Sequence, residues 1–207
     1  MRLKVCGMRS PENIAALELL DPDYMGFIFW APSKRYVSTA TPPLKDSIKK
    51  TGVFVEASLD YIQSTMEQHN LKAIQLHGQE TPAYCQIVSS WGVEIIKAFS
   101  VKDTFDFSQL QAYEEVCDYF LFDTKGKLPG GNGTQFDWSL LQEYPSQKPF
   151  FLSGGIGLEE LPQLKALIKM KLPIYAIDVN SKFETAPGHK DLQTLKEFKT
   201  QWDELQR

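Results

Sequence analysis

PFFLSGGIGLEEL, residues 149–161, decides how this chain folds. PFFLS is apolar on both faces and does not alternate, as expected of a strand covered on each side. Two glycines follow it, and then a segment with apolar residues at helical spacing. A strand that feeds a helix through a short glycine turn is the repeating half of a parallel sheet.

Seven more runs of the same kind pace the chain: LKVC (3–6), YMGFIF (24–29), GVFV (52–55), AIQL (73–76), EIIKAF (94–99), YFLF (119–122) and IYAID (174–178). Helical patterns lie between them. Ser10-Pro11-Glu12 reads as an N-cap, a proline at the first helical position and an acid in the first turn. Thr81-Pro82 repeats the device before residues 83–90. Residues 158–170 carry an apolar helical face. Residues 190–206 read as a closing helix with Leu192, Leu195 and Phe198 on one side, and a weaker helical pattern covers 102–116.

Eight alternations of strand and helix predict an α/β protein with a parallel sheet. Its economical closure is a single-domain (β/α)8 barrel, the TIM barrel, over residues 1–207. That size sits near the lower end of such barrels, at about 200 residues. A doubly wound open sheet is the structural rival. The count of eight, and the lack of any composition break or linker, favour the barrel.

The totals exclude several classes of function. The chain has 207 residues, 43% hydrophobic and 23% charged, with a formal net charge of -4. No global basic field draws it to nucleic acid. No apolar stretch approaches the roughly 18 residues of a membrane helix, and no signal-peptide pattern opens the chain. Three widely spaced cysteines, Cys6, Cys85 and Cys117, form neither a disulfide framework nor a zinc cluster. A reducing, cytoplasmic setting is expected. His77, His69 and His189 show no metal spacing, so no metal is expected.

In a parallel barrel the active site lies at the C-terminal ends of the strands. The residues that end the runs here are Cys6, Phe29 with the loop to Arg35, Val55, His77, Phe99, Asp123, Ser153-Gly154-Gly155, and Asp178 with Asn180 and Ser181. SGGIG invites an anion, because glycine lets a phosphate approach bare N–H groups at a helix start. DVNSKFE after the eighth run is its companion, with Asn180, Ser181 and Lys182 as donors. LFDTKGKLPGGNGTQFDW (121–138) lacks the Gly-Lys-Ser/Thr of a P-loop and reads as a lid over substrate, or else as a surface turn. Cys6 alone has a plain reading as a core thiol, and Asp123 as a cap or ion-pair partner. Together, across one mouth, a thiolate and a carboxylic acid can move protons in opposite directions. Arg35 has the fork that suits a carboxylate, or is a solvated basic turn. Lys4 is not counted on to help Cys6, on the argument that alternate side chains point to opposite faces.

These stretches resemble the phosphoribosylanthranilate isomerase family of tryptophan biosynthesis. The matching pieces are KVCGM, GFIF with SKRYV, QLHG, LFD followed by GGNGTQFDW, LSGGI, and DVNS…E…PGHKD, in order from residue 4 to 191. The resemblance implies a cofactor-free Amadori rearrangement of N-(5-phosphoribosyl)anthranilate to 1-(2-carboxyphenylamino)-1-deoxyribulose 5-phosphate. It implies Asp123 as general acid and Cys6 as general base. Arg35 would hold the anthranilate end, and His77 and Asp178 would line the substrate. Gly154, Gly155 and Ile156, with Asn180 and Ser181, would hold the phosphate. The partner is then a small phosphosugar-anthranilate, with the protein a monomer or homodimer. Two positions depart from the family pattern. Lys182 then Phe183 follow Ser181 where a small residue is expected, and Gln135 stands where a basic residue is common.

Overall fold

The computed structural model describes residues 1–124 and 136–206. Eight parallel strands close into a barrel in sequence order: β1 (Arg2–Val5), β2 (Tyr24–Ile28), β3 (Lys49–Phe54), β4 (Ala73–Leu76), β5 (Glu94–Val101), β6 (Tyr119–Thr124), β7 (Phe150–Leu152) and β8 (Ile174–Val179). Closure comes from β1 pairing with β8, with Lys4 opposite Asp178. This settles barrel against open sheet.

The outer layer is less regular than eight helices. Helix α1 (Pro11–Glu18) follows β1, α2 (Leu59–His69) follows β3, and α3 (Pro82–Ser89) follows β4. Helix α4 (Leu161–Ile168) follows β7, and α5 (Leu192–Leu205) closes the chain. No helix joins β2 to β3. Pro32, Pro42 and Pro43 lie in that connection, and proline interrupts a helix by removing an N–H and clashing with the preceding turn. β3 starts at Lys49, three residues before the apolar run. The pattern over 102–116 yields only a 3-10 segment, Phe107–Tyr113, opened by Asp106 accepting from Ser108 N–H. Another 3-10 segment, Trp138–Glu143, follows β6.

The caps divide. Thr81 accepts from Tyr84 N–H as expected. Ser10 does not cap α1, because its hydroxyl is drawn to Glu12 at 2.8 Å instead. α5 starts at Leu192, since Asp191 accepts from the N–H groups of Gln193 and Thr194. The helical pattern over 158–170 splits into a 3-10 turn, Leu158–Glu160, and then α4.

Side chains alternate between two cores. Phe120, Phe122, Phe150 and Leu152 face outward under the helices. Tyr24, Ala73, Ile96, Ala98, Leu121, Phe151 and Ala176 fill the barrel interior. Continuing the inward alternation toward the C-terminal end gives Gln75 on β4 with His77 just past it, Asp123 on β6, and Asp178 on β8 with Asn180 just past it. It also puts Lys4 and Cys6 on one face of β1, which corrects the expectation for Lys4, because residues two apart share a face.

Candidate active site

A cleft opens at the C-terminal end of the barrel. Of the residues expected there, Cys6, His77, Asp123, Gly154, Gly155, Ile156, Asp178, Asn180 and Ser181 all line it. Sequence reasoning missed Gln75, whose polar side chain inside an apolar run was the available signal, and Trp30. Lys182 also lines the cleft.

Cys6 follows β1 directly, and Gly7 turns the chain away with a φ of +77°, a region glycine enters at little cost. On the neighbouring strand, Gly26 makes room for the sulfur: a Cβ there would stand 2.7 Å from Cys6 Sγ. Burial pushes the Cys6 thiol up, against the opposing pull of the Lys4 and Lys190 ammonium groups.

Lys4 is fully buried and donates to Asp178 Oδ2 at 2.8 Å and to Gln75 Oε1 at 2.7 Å. Burial works against its charge, but Asp178 and Cys6 outweigh that and raise its pKa. Burial likewise raises the Asp178 carboxyl, with Lys4 pulling the other way. Gln75 Nε2 stands 2.7 Å from His77 Nδ1. His77 Nε2 lies 3.3 Å from Asp123 Oδ2, without the alignment of a hydrogen bond. A polar chain thus runs across the barrel from Asp178 through Lys4, Gln75 and His77 to Asp123. Asp178 Oδ1 is buried with no partner among the described residues.

Arg35 does not line the cleft. Its Nε donates to both Glu184 oxygens, at 2.9 and 3.1 Å, and its Nη2 donates to Oε2 at 2.6 Å. Lys190, on the β9–β10 hairpin (Glu184–Ala186 and His189–Lys190), donates to Glu184 Oε1 at 2.7 Å and Asn180 Oδ1 at 2.6 Å. Glu184 is thereby held below the usual carboxylate range, Arg35 and Lys190 together outweighing the opposing effect of its burial. Arg35 still reaches the rim, since a Cβ on Gly7 would meet its Cδ at 2.7 Å.

Gly154 and Gly155 have φ of +93° and +68°. Among the described residues, the N–H groups of Gly154, Gly155 and Ile156 meet no acceptor. Such a row of bare donors beside a helical turn suits an anion. Residues 125–135 of the long loop after β6, where a lid and the Gln135 departure were expected, lie outside the described residues. At its edges, Phe136 N–H donates to Thr124 Oγ1 at 3.0 Å.

The sequence model of N-(5'-phosphoribosyl)anthranilate (PRA) isomerase matches residues 3–201. The chain belongs to this family of enzymes. A phosphoribosylanthranilate isomerase of Phocaeicola vulgatus is 45% identical over 192 residues, which cover 92% of each chain. The crystal structure of the Thermus thermophilus isomerase superposes with a TM-score of 0.84 at 25% identity, covering 99% of this chain and 100% of that one. A phosphoribosylanthranilate isomerase in complex with reduced 1-(o-carboxyphenylamino)-1-deoxyribulose 5-phosphate matches with a TM-score of 0.77 at 29% identity, covering 96% of each chain.

Proposed function

We propose that this chain isomerises N-(5'-phosphoribosyl)anthranilate to 1-(2-carboxyphenylamino)-1-deoxyribulose 5-phosphate, a step of tryptophan biosynthesis carried out in the cytoplasm without a cofactor. The observation that carries this reading is the meeting of Cys6 and Asp123, from β1 and β6, in one cleft beside a row of bare backbone donors.

Asp123 protonates the ribose ring oxygen, the bond from C1 to that oxygen breaks, and the anilino nitrogen lone pair forms C=N. Cys6 as thiolate then takes the proton from C2. The C–H electrons form the enamine and neutralise the nitrogen, and the enol tautomerises to the ketone. In that last step the C2 hydroxyl loses its proton and C1 gains one, so the product is an isomer of the substrate and no redox partner is required. The phosphate sits on Gly154, Gly155 and Ile156, with Asn180, Ser181 and Lys182. Lys182 is exposed and has no carboxylate partner among the described residues, so its charge is available to the anion. Ile28, Val53, Val55 and Trp30 give an apolar wall for the anthranilate ring. Arg35, fixed at the rim by Glu184, offers the anthranilate carboxylate its Nη1, which meets no partner among the described residues. Asp178 Oδ1 accepts from a ribose hydroxyl.

The two groups need opposite protonation states from those they hold free in water at neutral pH. Burial, with Asp178, holds the Cys6 thiol above its usual value, and the Lys4 and Lys190 ammonium groups are the charges that pull it toward the thiolate.

Asp123→Asn tests the assignment. Turnover, followed as loss of anthranilate fluorescence, is expected to vanish. Affinity for the reduced product analogue should stay within about tenfold, about 1.4 kcal/mol, because the phosphate contacts lie on other loops. Retained turnover would remove Asp123 as the acid, and a thousandfold loss of binding would make its role structural.

A further inference from the structure

The polar chain across the barrel contains one residue whose chemistry leaves no choice. A lysine ammonium only donates hydrogen bonds. The Gln75 atom 2.7 Å from Lys4 Nζ is therefore the carbonyl oxygen, Oε1. Lys4 is itself pinned by its ion pair with Asp178 at 2.8 Å, inside the barrel with no exposure. The amide NH2 of Gln75 is then the end that faces His77 Nδ1 at 2.7 Å. An amide NH2 also only donates, so Nδ1 must present a lone pair. A hydrogen on Nδ1 would set two N–H groups against each other in a buried place, which costs the desolvation of both.

We propose that Gln75, oriented by Lys4, is a positioning residue that fixes His77 in the tautomer protonated on Nε2, and so assigns the catalytic proton of Asp123 to Oδ1. The inference rests on the reading of Asp123 as the acid. His77 Nε2 stands 3.3 Å from Asp123 Oδ2. With a hydrogen on Nε2, that oxygen is reserved as an acceptor. The acid proton of Asp123 then has only Oδ1 to occupy, and it reaches the substrate from there.

His77 Nε2 is buried and makes no aligned hydrogen bond. It has room to close on Oδ2 as Oδ1 gives up its proton and charge develops on the carboxylate. Hydrogen bonds of this kind are often long in the empty site and tighten in the reacting complex. The groups facing this imidazole are Gln75 from its own strand, Asp123 from β6, and, one step along the chain, Asp178 from β8 and Lys4 from β1.

Long-range nitrogen–proton NMR of the wild-type imidazoles is the direct test, with His69 and His189 assigned by substitution. The expected pattern for His77 as a neutral imidazole is a bare Nδ1 and a protonated Nε2. A protonated Nδ1, or two tautomers in exchange, would overturn the proposal whether or not any variant folds. Gln75→Glu supplies the activity readout by replacing the donor amide with an acceptor. It is expected to move a hydrogen onto Nδ1 and to lower kcat about tenfold or more, with KM changed less than about threefold. Gln75→Glu with wild-type kcat would equally overturn it. Should the tautomer stand while Asp123→Asn still turns over, the acid assignment has failed and not the tautomer.

Discussion

The two ends of the barrel interior use the same eight strands for opposite ends. At the N-terminal end, rings fill the space. Tyr119 stacks on Tyr175 at 4.3 Å, and Phe151 meets Tyr24 edge-on at 5.3 Å. Polar atoms there are paired: the Tyr24 hydroxyl donates to Glu94 Oε2 at 2.9 Å, and Lys49 holds the other Glu94 oxygen. At the C-terminal end, side chains on the same inward positions are Cys6, His77, Asp123 and Asp178. Two of the four buried side-chain polar atoms left without a partner among the described residues, His77 Nε2 and Asp178 Oδ1, belong to this end. Unmet polar atoms cost stability. Both lie beside the cleft at the C-terminal end of the strands.

The largest expected effect breaks the plug. Phe151→Ala empties a fully buried position and should cost about 3–5 kcal/mol in urea denaturation. KM of the folded protein should change less than about twofold, because no contact to the cleft is lost. A large change in KM would show that the two ends are coupled. The mouth should respond in the reverse sense. Lys182→Ala should raise KM for the phosphorylated substrate about tenfold, about 1.4 kcal/mol, and the effect should shrink in high salt. Unfolding of that exposed-residue variant should match wild type. Unchanged KM would leave Lys182 pointing to solvent.

The smallest effect concerns the rim. Glu184 is held below its usual carboxylate range by Arg35 and Lys190. A depressed folded-state pKa means stability that is fully present above the unfolded value, about 4.3, and lost as pH falls through the folded one. Wild type should therefore lose stability on acidification more steeply than Glu184→Gln. Parallel curves would show that the ion pair adds nothing to acid sensitivity.

The barrel was legible because parallel strands announce themselves as short apolar runs without alternation, and all eight lie where those runs are. The helices were less so. The connection from β2 to β3 carries prolines rather than a helical face. α2 went unread between its runs, although Ser58 accepts from Tyr61 N–H as its cap. Ends of strands pointed to the cleft residues by position alone. The supporting residues were harder, since Lys4 and Gln75 sit one turn of the pleat below the mouth. Applying the two-residue period to β1 from Cys6 would have found Lys4, and from His77 would have found Gln75. The Arg35–Glu184–Lys190 cluster joins segments about 150 residues apart, and only folding brings it together.

The central claim is that Cys6 takes the C2 proton. The direct measurement is loss of anthranilate fluorescence from freshly made N-(5'-phosphoribosyl)anthranilate, comparing wild type with Cys6→Ala. The account predicts rapid consumption by wild type and a fall of about two orders of magnitude or more in the variant, the scale of a lost general base. Equal rates from the two proteins would contradict it and place the base elsewhere in the cleft.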